Sequence, residues 1–312
     1  MGYVAAIDVG GTTMKGGFVT RDGTIHAFER RPTPRAEGPA RVVAAVSAFV
    51  ADLARPRDGE RPLAVGLAVP GLVTPTHAVF SAAFGWRDVP VSAFAAGVDV
   101  PVALGHDVRS AGEAELAYGE GGRDVLYLPI GTGIAGAVVL SGELYGGAGG
   151  WAGQIGHIPV RPGGAACGCG QRGCLAAYAS GGGMAARCGV DGGMDGGVDG
   201  GAGGGAGGAE EVLRRVLDGD ARAGRVWGEA VEALALALAT YTLVLDPAAV
   251  VIGGGVSQAG EHLLGPLREA LAGRLAFRRA PQVRASSLGA RAGLMGAGLL
   301  GWGVVPGAPG RR

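Results

Sequence analysis

The chain has 312 residues, 48% of them hydrophobic, and its 27 basic residues balance 27 acidic ones. This length allows one large or two medium domains with a substantial core. A neutral chain lacks the basic surface that binds nucleic acid or anionic membranes, so we expect neither partner. The apolar run from Ala233 to Leu245 is too short to span a bilayer, and the N-terminus lacks a signal-peptide pattern. Clustered cysteines without a disulfide framework favour a cytoplasmic protein.

Short apolar runs that end in glycine turns predict strands, beginning with "YVAAIDVGGTT" at the N-terminus. The next segment, "GGFVTRDGTIHAFER", contains two strand-like runs joined by Asp22-Gly23, which predicts a hairpin. Helical spacing of apolar residues predicts a helix over residues 38–54. A further strand, "LAVGLAVPG", ends at Pro70-Gly71. The first third of the chain therefore combines a hairpin with a strand, a helix and another strand.

The rest of the chain continues this alternation. The strand "VPVALGHD" leads into the helix "VRSAGEAELAYG", and "DVLYLPIGTGIAGAVVLSGELYGG" predicts two strands around a tight turn. Residues 189–208 repeat Asp-Gly-Gly and are predicted to form a flexible surface insert. The remaining predictions are a helix over 226–245, a strand "AVVIGGGVS" and helices over 258–275 and 289–300. Strands alternating with helices indicate an α/β fold, and the early hairpin makes its sheet mixed rather than a simple dinucleotide-binding sheet.

Three strands end in glycine turns, "DVGGTTMK", "IGTGIAG" and "IGGGVS". One such turn is often only a tight connection. Three of them in one α/β chain favour backbone N–H groups that converge on an anion, since glycine lets the backbone approach phosphate closely. None has the Walker pattern. The predicted phosphate-binding residues are Asp8, Gly10, Gly11, Thr12, Thr13, Lys15, Gly131, Thr132, Gly133, Gly254 and Gly255.

The first turn carries additional chemistry. Asp8 precedes it, and Lys15, the only lysine of the chain, follows it. A carboxylate in this position can hold Mg²⁺ through water, and a lysine can neutralise phosphate charge. We therefore expect Mg²⁺ together with a phosphate-bearing ligand.

The segment from 153 to 176 predicts a metal site. His157, Cys167, Cys169 and Cys174 supply an imidazole and three thiolates within eighteen positions, with glycines between the cysteines that let the chain turn back. Four such ligands suit tetrahedral Zn²⁺ and close its coordination shell, so the metal is expected to be structural. The alternative is a set of unpaired structural cysteines. Cys188 lies outside this motif.

Five motifs, "DVGGTTMK", "HD", "IGTGIAG", "GQIGH" and "CGCGQRGCL", resemble in order and spacing those of the ROK family, which groups bacterial sugar kinases with related repressors. The resemblance covers nearly the whole chain apart from the glycine-rich insert. It implies an actin-like, hexokinase-type (ribonuclease H-like) α/β fold with two domains, mixed sheets and an active site in the interdomain cleft. It also implies that the first two glycine turns hold the phosphates of ATP and that the third lies near the adenosine.

The same resemblance implies a domain division and further partners. The smaller domain would comprise residues 1–108 and 290–312, and the larger domain residues 109–289, including the zinc loop 153–176 and the insert 189–208. The expected cofactors are ATP, Mg²⁺ and structural Zn²⁺, and the expected partner besides ATP is a small polyol. Because family members usually self-associate, we expect a homodimer.

Asp107 is the predicted catalytic base. It follows a strand and opens a helix, where the helix N-terminus favours its ionised form, and it matches the catalytic aspartate of the family. The alternative is an aspartate that only caps the helix. The resemblance also places Gly71, Gln154 and His157 at the sugar pocket. A zinc ion on one ring nitrogen of His157 would orient the loop that carries Gln154.

Four positions that contact sugar in the kinase members differ in this chain. Ala83 and His106 replace asparagines, Gln154 replaces a glutamate in "GEIGH", and Ala176 replaces a glutamate after the last cysteine. The chain contains no asparagine at all, so coding bias can explain the first two changes, but glutamate is used freely elsewhere. A pocket without these groups cannot hydrogen-bond a hexopyranose in the usual way.

The sequence therefore predicts an ATP-dependent kinase that acts on a primary hydroxyl of a sugar-like polyol other than glucose. Kinases that resemble this family act on C7 cyclitols of the valiolone type in natural-product biosynthesis, and such a ring is our leading acceptor. A glucokinase, or a kinase for another hexose or acylated hexosamine, is the first alternative. A non-catalytic sugar sensor is the second, although the neutral chain shows no DNA-binding helix-turn-helix ahead of its first strand.

Overall fold

The computed structural model describes residues 2–57, 59–81, 83–190 and 207–307. These residues form two compact α/β units: unit 1 comprises the chain up to Gly121 together with the segment from Ala290 onward, and unit 2 comprises the segment between them. Most of the glycine-rich insert predicted over 189–208 lies outside the described residues.

Unit 1 contains a mixed five-stranded sheet in the order β3-β2-β1-β4-β8. β1 pairs antiparallel with β2, which pairs antiparallel with β3, whereas β4 and β8 run parallel to β1. The predicted Asp22-Gly23 hairpin is confirmed, and Asp22 stabilises it by accepting hydrogen bonds from Thr20 and Thr24. The strands are β1 (Tyr3–Val9), β2 (Thr13–Thr20), β3 (Ile25–Pro32), β4 (Val65–Val69) and β8 (Val102–His106).

A second, small sheet and four α-helices complete the described part of unit 1. The sequence did not predict this small sheet, whose order is β5-β6-β7. Its strands are β5 (Leu72–Val73), β6 (His77–Phe80) and β7 (Arg87–Pro90). The helices are α1 (Pro39–Ala54), α2 (Val91–Phe94), α3 (Asp107–Tyr118) and α9 (Ala292–Trp302).

The large sheet of unit 1 is buried on both faces. Ile7 of β1 packs in a cluster with Phe49 of α1, whereas Ala6 packs on the opposite face with Leu294 of α9. A strand that is covered on both faces loses the usual alternation of apolar and polar residues. This explains why "YVAAIDV" is an almost continuous apolar run.

Unit 2 repeats the same topology. Its sheet has the order β11-β10-β9-β12-β13; β9, β10 and β11 pair antiparallel, and β12 and β13 run parallel to β9. The strands are β9 (Val125–Pro129), β10 (Ala137–Leu140), β11 (Glu143–Tyr145), β12 (Ala249–Gly253) and β13 (Gln282–Ala285). The helices are α4 (Leu175–Ala179), α5 (Gly181–Cys188), α6 (Gly207–Leu217), α7 (Ala221–Leu245) and α8 (Glu261–Gly273).

Helix α7 is longer than the apolar run that predicted it. Asp220 caps its first turn by accepting hydrogen bonds from the N–H groups of Arg222 and Ala223. By length and composition α7 could cross a membrane, but half of its most apolar window is buried inside the protein. Its buried residues, such as Leu234 and Leu238, join the core of unit 2, as expected for a core helix.

The boundary of unit 1 follows α3 rather than the predicted position 108. The whole of α3 belongs to unit 1, which extends to Gly121. The reason is a close approach of two helices: a Cβ atom at Gly296 of α9 would lie 2.1 Å from the carbonyl oxygen of Ser110 in α3. Helices that pack backbone against backbone in this way remain in one unit.

Candidate active site and metal centre

The candidate residues of unit 1 lie where its parallel strands end. Asp8 in β1 pairs in register with Ala68 of β4, and Val69 of β4 pairs with His106 of β8. Asp107 follows β8 directly as the first residue of α3. In open α/β sheets, ligands bind outside the carboxyl ends of the strands. The fold therefore brings Asp8, His106 and Asp107 to the same edge of one sheet.

The first glycine turn joins β1 to β2. The N–H of Gly10 donates to the carbonyl oxygen of Thr13 at 3.1 Å, and the hydroxyl of Thr33 donates to the carbonyl oxygen of Gly10 at 2.8 Å. Gly11 and Thr12 form the tip, where a Cβ atom at Gly11 would meet no other atom within 4 Å. The tip is thus open on the side where a phosphate could approach the backbone.

Asp8 is a fully buried carboxylate beside the only lysine. Its exposed fraction is 0%, and its Oδ2 atom lies 3.6 Å from Nζ of Lys15. Neither carboxylate oxygen accepts a hydrogen bond from the described residues. Burial raises the pKa of Asp8, although the charge of Lys15 opposes that shift. A buried carboxylate with free lone pairs is suited to hold a hydrated cation.

His106 and Asp107 are adjacent; the side chain of His106 is 11% exposed and that of Asp107 is fully buried. The backbone N–H of Arg109 donates to Nδ1 of His106 at 3.3 Å, so His106 is the N-cap of α3. Because Nδ1 accepts this bond, we assign the ring proton to Nε2. Burial, aided by the charge of Arg109, lowers the pKa of His106 to about 4. At neutral pH the imidazole is therefore uncharged.

The carboxylate of Asp107 is held at the start of α3. Its Oδ1 atom accepts the N–H of Val108 at 2.7 Å, and the residue has an exposed fraction of 0%. The N-terminal end of a helix favours negative charge. The N-cap of α3 is His106 and not Asp107. The alternative in which Asp107 only caps the helix is therefore not what the structure has.

Gly71 and Ala83 lie near the small sheet of unit 1. Gly71 has a positive φ of 109°, and a Cβ atom there would lie 2.1 Å from the carbonyl oxygen of Phe80. Only glycine fits that approach. Ala83 is buried next to Phe84 and Trp86 in the same apolar cluster. The amide that family members carry at this position is thus replaced by a methyl group in apolar surroundings.

The second and third glycine turns lie side by side in unit 2. The N–H of Ile130 donates to the carbonyl oxygen of Gly253 at 2.9 Å, and the N–H of Val256 donates to the carbonyl oxygen of Ile130 at 3.0 Å. Gly254 has a φ of 74°, and a Cβ atom there would lie 2.4 Å from that same carbonyl oxygen. This contact brings together two predicted groups, Gly131, Thr132 and Gly133 on one side and Gly254 and Gly255 on the other.

Sequence analysis missed a further segment at this place. The start of α5, "SGGG", joins the second turn because the N–H of Gly181 donates to the carbonyl oxygen of Gly131 at 2.7 Å. Ser180 caps α5 by accepting the N–H of Gly183 at 2.9 Å. The sequence signal for this segment is its run of three consecutive glycines, which comes shortly after the cysteine motif. The first N–H groups of α5 thus hold the helix against the carbonyl oxygens of the second turn.

The segment that carries Gln154 and His157 packs on the second turn through glycines. Gly153 has a φ of 97°, and a Cβ atom there would lie 2.0 Å from the carbonyl oxygen of Gly136. A Cβ atom at Gly156 would lie 2.1 Å from the carbonyl oxygen of Ile134. "GQIGH" therefore needs both glycines to lie against "IGTGIAG". Gln154, which is partly exposed, begins a short 3-10 turn that ends at His157.

The four predicted metal ligands come together in unit 2. One ligand atom from each of His157, Cys167, Cys169 and Cys174 lies within 4.8 Å of the others. Nδ1 of His157 is 3.9 Å from Sγ of Cys167, and the Sγ atoms of Cys169 and Cys174 are 3.8 Å apart. Sulfurs about 3.8 Å apart are what a tetrahedron with Zn–S bonds of about 2.3 Å requires. The donor set and its spacing therefore fit Zn²⁺.

Burial raises the pKa values of two cysteines in the cluster. Burial raises the pKa of Cys167 and raises that of Cys174 to about 12, with the neighbouring cysteines adding to the second shift. A metal ion must therefore displace thiol protons when it binds. Because Nδ1 of His157 is on the side of the sulfurs, Nε2 is the ring nitrogen that remains for another partner.

Tyr178 of α4 holds the cysteine loop against the helices of unit 2. Its hydroxyl accepts the N–H of Ala165 at 2.8 Å, and the guanidinium groups of Arg161 and Arg187 lie 4.9 and 4.8 Å from the centre of its ring. Ala176, in the same helix, has an exposed fraction of 1%. Its methyl group is part of the packed interior, at the position where family members carry a glutamate.

Known proteins resemble this chain along almost its whole length. A glucokinase from Thermotoga maritima is 34% identical and matches 93% of this chain and 94% of its own length. An N-acetylmannosamine kinase from Yersinia pseudotuberculosis is 29% identical over 84% of this chain and 86% of its own. The crystal structure of a ROK family glucokinase from Streptomyces griseus in complex with glucose and AMPPNP is 30% identical, has a TM-score of 0.80 and covers 96% of this chain and 99% of its own.

The two α/β units share one mixed-sheet topology, and a glycine turn follows the first strand of each. This is the actin-like, hexokinase-type fold. The chain is about 30% identical to carbohydrate kinases over most of its length, so the protein is a carbohydrate kinase. The family model described as ROK family matches residues 4–302, and the chain belongs to that family. The expected fold and family are thereby confirmed.

Proposed function

We propose that this enzyme transfers the γ-phosphoryl group of ATP to a primary hydroxyl of a sugar-like polyol, with Asp8, Lys15 and Asp107 as its reactive side chains. The observation that carries the proposal is the placement of two fully buried carboxylates, Asp8 and Asp107, at the ends of parallel strands of one sheet. Buried carboxylates are costly unless they are paired or hydrogen-bonded, and proteins concentrate such groups at functional sites.

Lys15 and Asp8 would act on the phosphates. The ammonium group of Lys15 neutralises phosphate charge, and the N–H groups of Gly11 and Thr12 at the open tip of the first turn bind phosphate oxygens. Asp8 fits a hydrated Mg²⁺ because neither of its oxygens accepts a hydrogen bond from the described residues. Mg²⁺, when bound, supplies charge neutralisation at the β- and γ-phosphates. The family resemblance implies that the second glycine turn also binds phosphate and that the third lies near the adenosine.

Asp107 would act on the acceptor. Its carboxylate orients the hydroxyl and takes its proton, while the acceptor oxygen forms a bond to the γ-phosphorus. The bond between that phosphorus and the bridging oxygen of the β-phosphate breaks, and ADP leaves with the bonding electrons. The N-terminal end of α3 favours the ionised form of this carboxylate.

The metal loop would have a positioning role. Four protein ligands leave Zn²⁺ no open coordination site, so it takes no part in the chemistry. His157 would bind it through Nδ1, which would hold the imidazole and the adjoining segment with Gln154 in place. His157 and Gln154 would therefore recognise the acceptor.

The acceptor would be a polyol other than glucose, such as a C7 cyclitol of the valiolone type. His106 supports this proposal, because its Nδ1 accepts the N–H of Arg109 and leaves only the Nε2–H donor for a substrate. An asparagine would offer both an acceptor and donors. The buried methyl groups of Ala83 and Ala176 remove two further polar partners. A ring without an anomeric centre or ring oxygen needs a different set of partners.

Glucose is the second candidate, and the similarity to glucokinases from Thermotoga maritima and Streptomyces griseus favours it. The family resemblance also implies a homodimer, which sedimentation of the purified protein tests. For the acceptor, ADP formation is measured with glucose, other hexoses, N-acylhexosamines and valiolone-type cyclitols. A kcat/KM for glucose of about 10⁴ M⁻¹s⁻¹ or above would select the glucokinase. No ADP formation with any polyol would contradict the kinase proposal itself.

A further inference from the structure

The first turn of α9 lies directly against the carboxylate of Asp8. A Cβ atom built on Gly293 would lie 2.3 Å from Oδ2, 2.7 Å from Cγ and 3.1 Å from Oδ1 of Asp8. Atoms that are not bonded to each other do not approach so closely, so any side chain at this position must displace the carboxylate or the helix. Gly293 is nearly 300 positions from Asp8 in the chain, and no local pattern indicates this contact.

The turn before α9 also reaches Lys15. The Nζ atom of Lys15 lies 3.5 Å from the carbonyl oxygen of Ala290 and 3.6 Å from Oδ2 of Asp8. The segment from Ala290 to Gly293 therefore contacts both charged groups that flank the first glycine turn. One contact is a hydrogen bond to the ammonium group, and the other is a close approach behind the carboxylate.

The other glycines of α9 have different neighbours. A Cβ atom at Gly298 would meet the side chain of Val19 at 2.7 Å, and one at Gly301 would lie 3.0 Å from the backbone nitrogen of Gly66. The nearest atoms to a Cβ at Gly296 belong to the backbone of Ser110 and Ala111. These three positions serve the packing of α9 on its neighbours, whereas Gly293 faces an ionisable group.

We propose that Gly293 is a positioning residue of the active site: its lack of a side chain lets α9 lie behind Asp8 and holds the Asp8 carboxylate in the direction needed for a hydrated divalent cation. The inference rests on the proposed function, because it concerns how Asp8 is presented to Mg²⁺ bound with ATP. Asp8 accepts no hydrogen bond from the described residues, so the steric wall formed by the backbone at Gly293 and the ion pair with Lys15 are what orient it.

A double-mutant cycle tests the contact itself. Gly293→Ala should lower the midpoint of thermal unfolding, because the new methyl group collides with the carboxylate. In an Asp8→Ala background the collision partner is absent, and the same change should lower the midpoint by less than half as much. Gly298→Ala is the matched control on the same helix, and its effect should be equal in both backgrounds. An equal effect of Gly293→Ala in the two backgrounds would overturn the proposal.

A binding measurement tests the consequence for the cation. Calorimetry with the magnesium complex of a non-hydrolysable ATP analogue should show about 10-fold or more weaker binding for Gly293→Ala, as is typical when a group that orients a metal ligand is changed. The Mg²⁺ concentration for half-maximal ADP formation should rise, and kcat should fall, while KM for the polyol stays within about twofold. Gly298→Ala should change none of these values.

The two possible failures are distinguishable. If the unaltered protein phosphorylates no polyol, the proposed function fails, yet the unfolding cycle and the calorimetry still report on Gly293. If Gly293→Ala does not fold, recovery of a folded protein by the added Asp8→Ala change supports the contact, and no recovery rejects it. A folded Gly293→Ala variant with unchanged binding of the magnesium complex and unchanged kcat would reject the positioning role.

Discussion

The Nδ1 atom of His106 lies 3.4 Å from Oδ1 of Asp107. Because the same Nδ1 atom accepts the N–H of Arg109, it carries no proton and donates none to the carboxylate. The imidazole therefore supports the start of α3 without neutralising Asp107. A protonated imidazole here would give up its cap and form a salt bridge with the carboxylate, which would make Asp107 a weaker base.

The first prediction concerns stability against pH. The pKa of His106 is about 4 in the folded protein and 6.5 in the unfolded chain. Between these values only the unfolded chain binds the proton, so stability falls as the pH falls from about 6.5 to 4. The loss amounts to about 3 kcal/mol, since each pKa unit corresponds to about 1.4 kcal/mol. His106→Asn keeps a capping side chain but cannot titrate, so urea unfolding should show a smaller loss upon acidification.

The matched control for this prediction is His26→Asn, because the side chain of His26 is exposed on β3. It should leave the pH dependence of the free energy of unfolding as it is in the unaltered protein. If His106→Asn and the unaltered protein lose the same free energy between pH 7 and pH 4, the buried neutral imidazole is refuted.

The second prediction concerns the base. Asp107→Asn keeps the shape of the side chain but removes its ability to take a proton, so kcat should fall by about 10²–10⁴-fold. Binding of the ATP analogue, measured by calorimetry, should stay within about twofold of the unaltered protein. Turnover near that of the unaltered enzyme would assign the proton transfer to another group, and His106→Asn would then be the next variant to assay.

The third prediction concerns the metal. Protein purified without added zinc should contain about one zinc per chain, since four ligands close a tetrahedral site. Cys169→Ser should lose that zinc, lower the midpoint of thermal unfolding, and raise KM for the polyol more than KM for ATP, because the loop with Gln154 and His157 loses its brace. Cys188→Ser, at a buried cysteine outside the cluster, is the control and should keep the zinc. Full activity in protein that contains no zinc would contradict the positioning role of the zinc site.

The fourth prediction concerns acceptor choice. The triple variant Ala83→Asn, His106→Asn and Gln154→Glu restores three groups that hexose-specific family members carry. It should gain kcat/KM for glucose by about 10-fold or more and lose activity on the native polyol, because hydrogen-bonding groups left unpaired against the wrong ring discriminate strongly. The three changes are assayed together, since sites in one pocket need not act additively.

Ala176→Glu is tested separately. The side chain at 176 is fully buried in α4, and a carboxylate there is costly unless it reaches a hydrogen-bonding partner. If the unaltered protein already phosphorylates glucose efficiently, the non-glucose acceptor is rejected and the enzyme is a glucokinase with unfamiliar contacts. If the triple variant gains nothing on glucose, the role of these three positions in acceptor choice is rejected.

The features that could be predicted from the sequence are those determined by residues close together in the chain. The glycine turns after β1, β9 and β12 were visible because each follows a short apolar run, and the hairpin at Asp22-Gly23 has a strong turn signal. The metal ligands were predicted because all four lie within one short segment and form a recognisable donor set. Proximity in sequence was in each case enough to imply proximity in space.

The remaining features depend on contacts between distant segments. The sheet β5-β6-β7 has strands of two to four residues, too short to show a period. The predicted boundary at 108 differs from the end of unit 1 at Gly121, because α3 packs against α9 at Gly296 and Ser110. The approach of Gly293 to Asp8 likewise appears only when α9 is placed on β1. A glycine selected by such a contact looks in the sequence like any other glycine.

Unit 1 is assembled from two stretches of chain with the whole of unit 2 between them. A ribosome delivers β1, β2 and α3 before unit 2, and α9 after it, since synthesis proceeds from the N-terminus. Until α9 emerges, one face of the unit 1 sheet, including Val4 and Ala6, has no cover. The buried surroundings of Asp8 and the carbonyl partner of Lys15 therefore form only after α9 has been synthesised, whereas the last residue of unit 2, Gly289, precedes α9 in the chain. Ribosome-bound chains that stop short of α9 would hold a folded metal centre and an unfinished phosphate site.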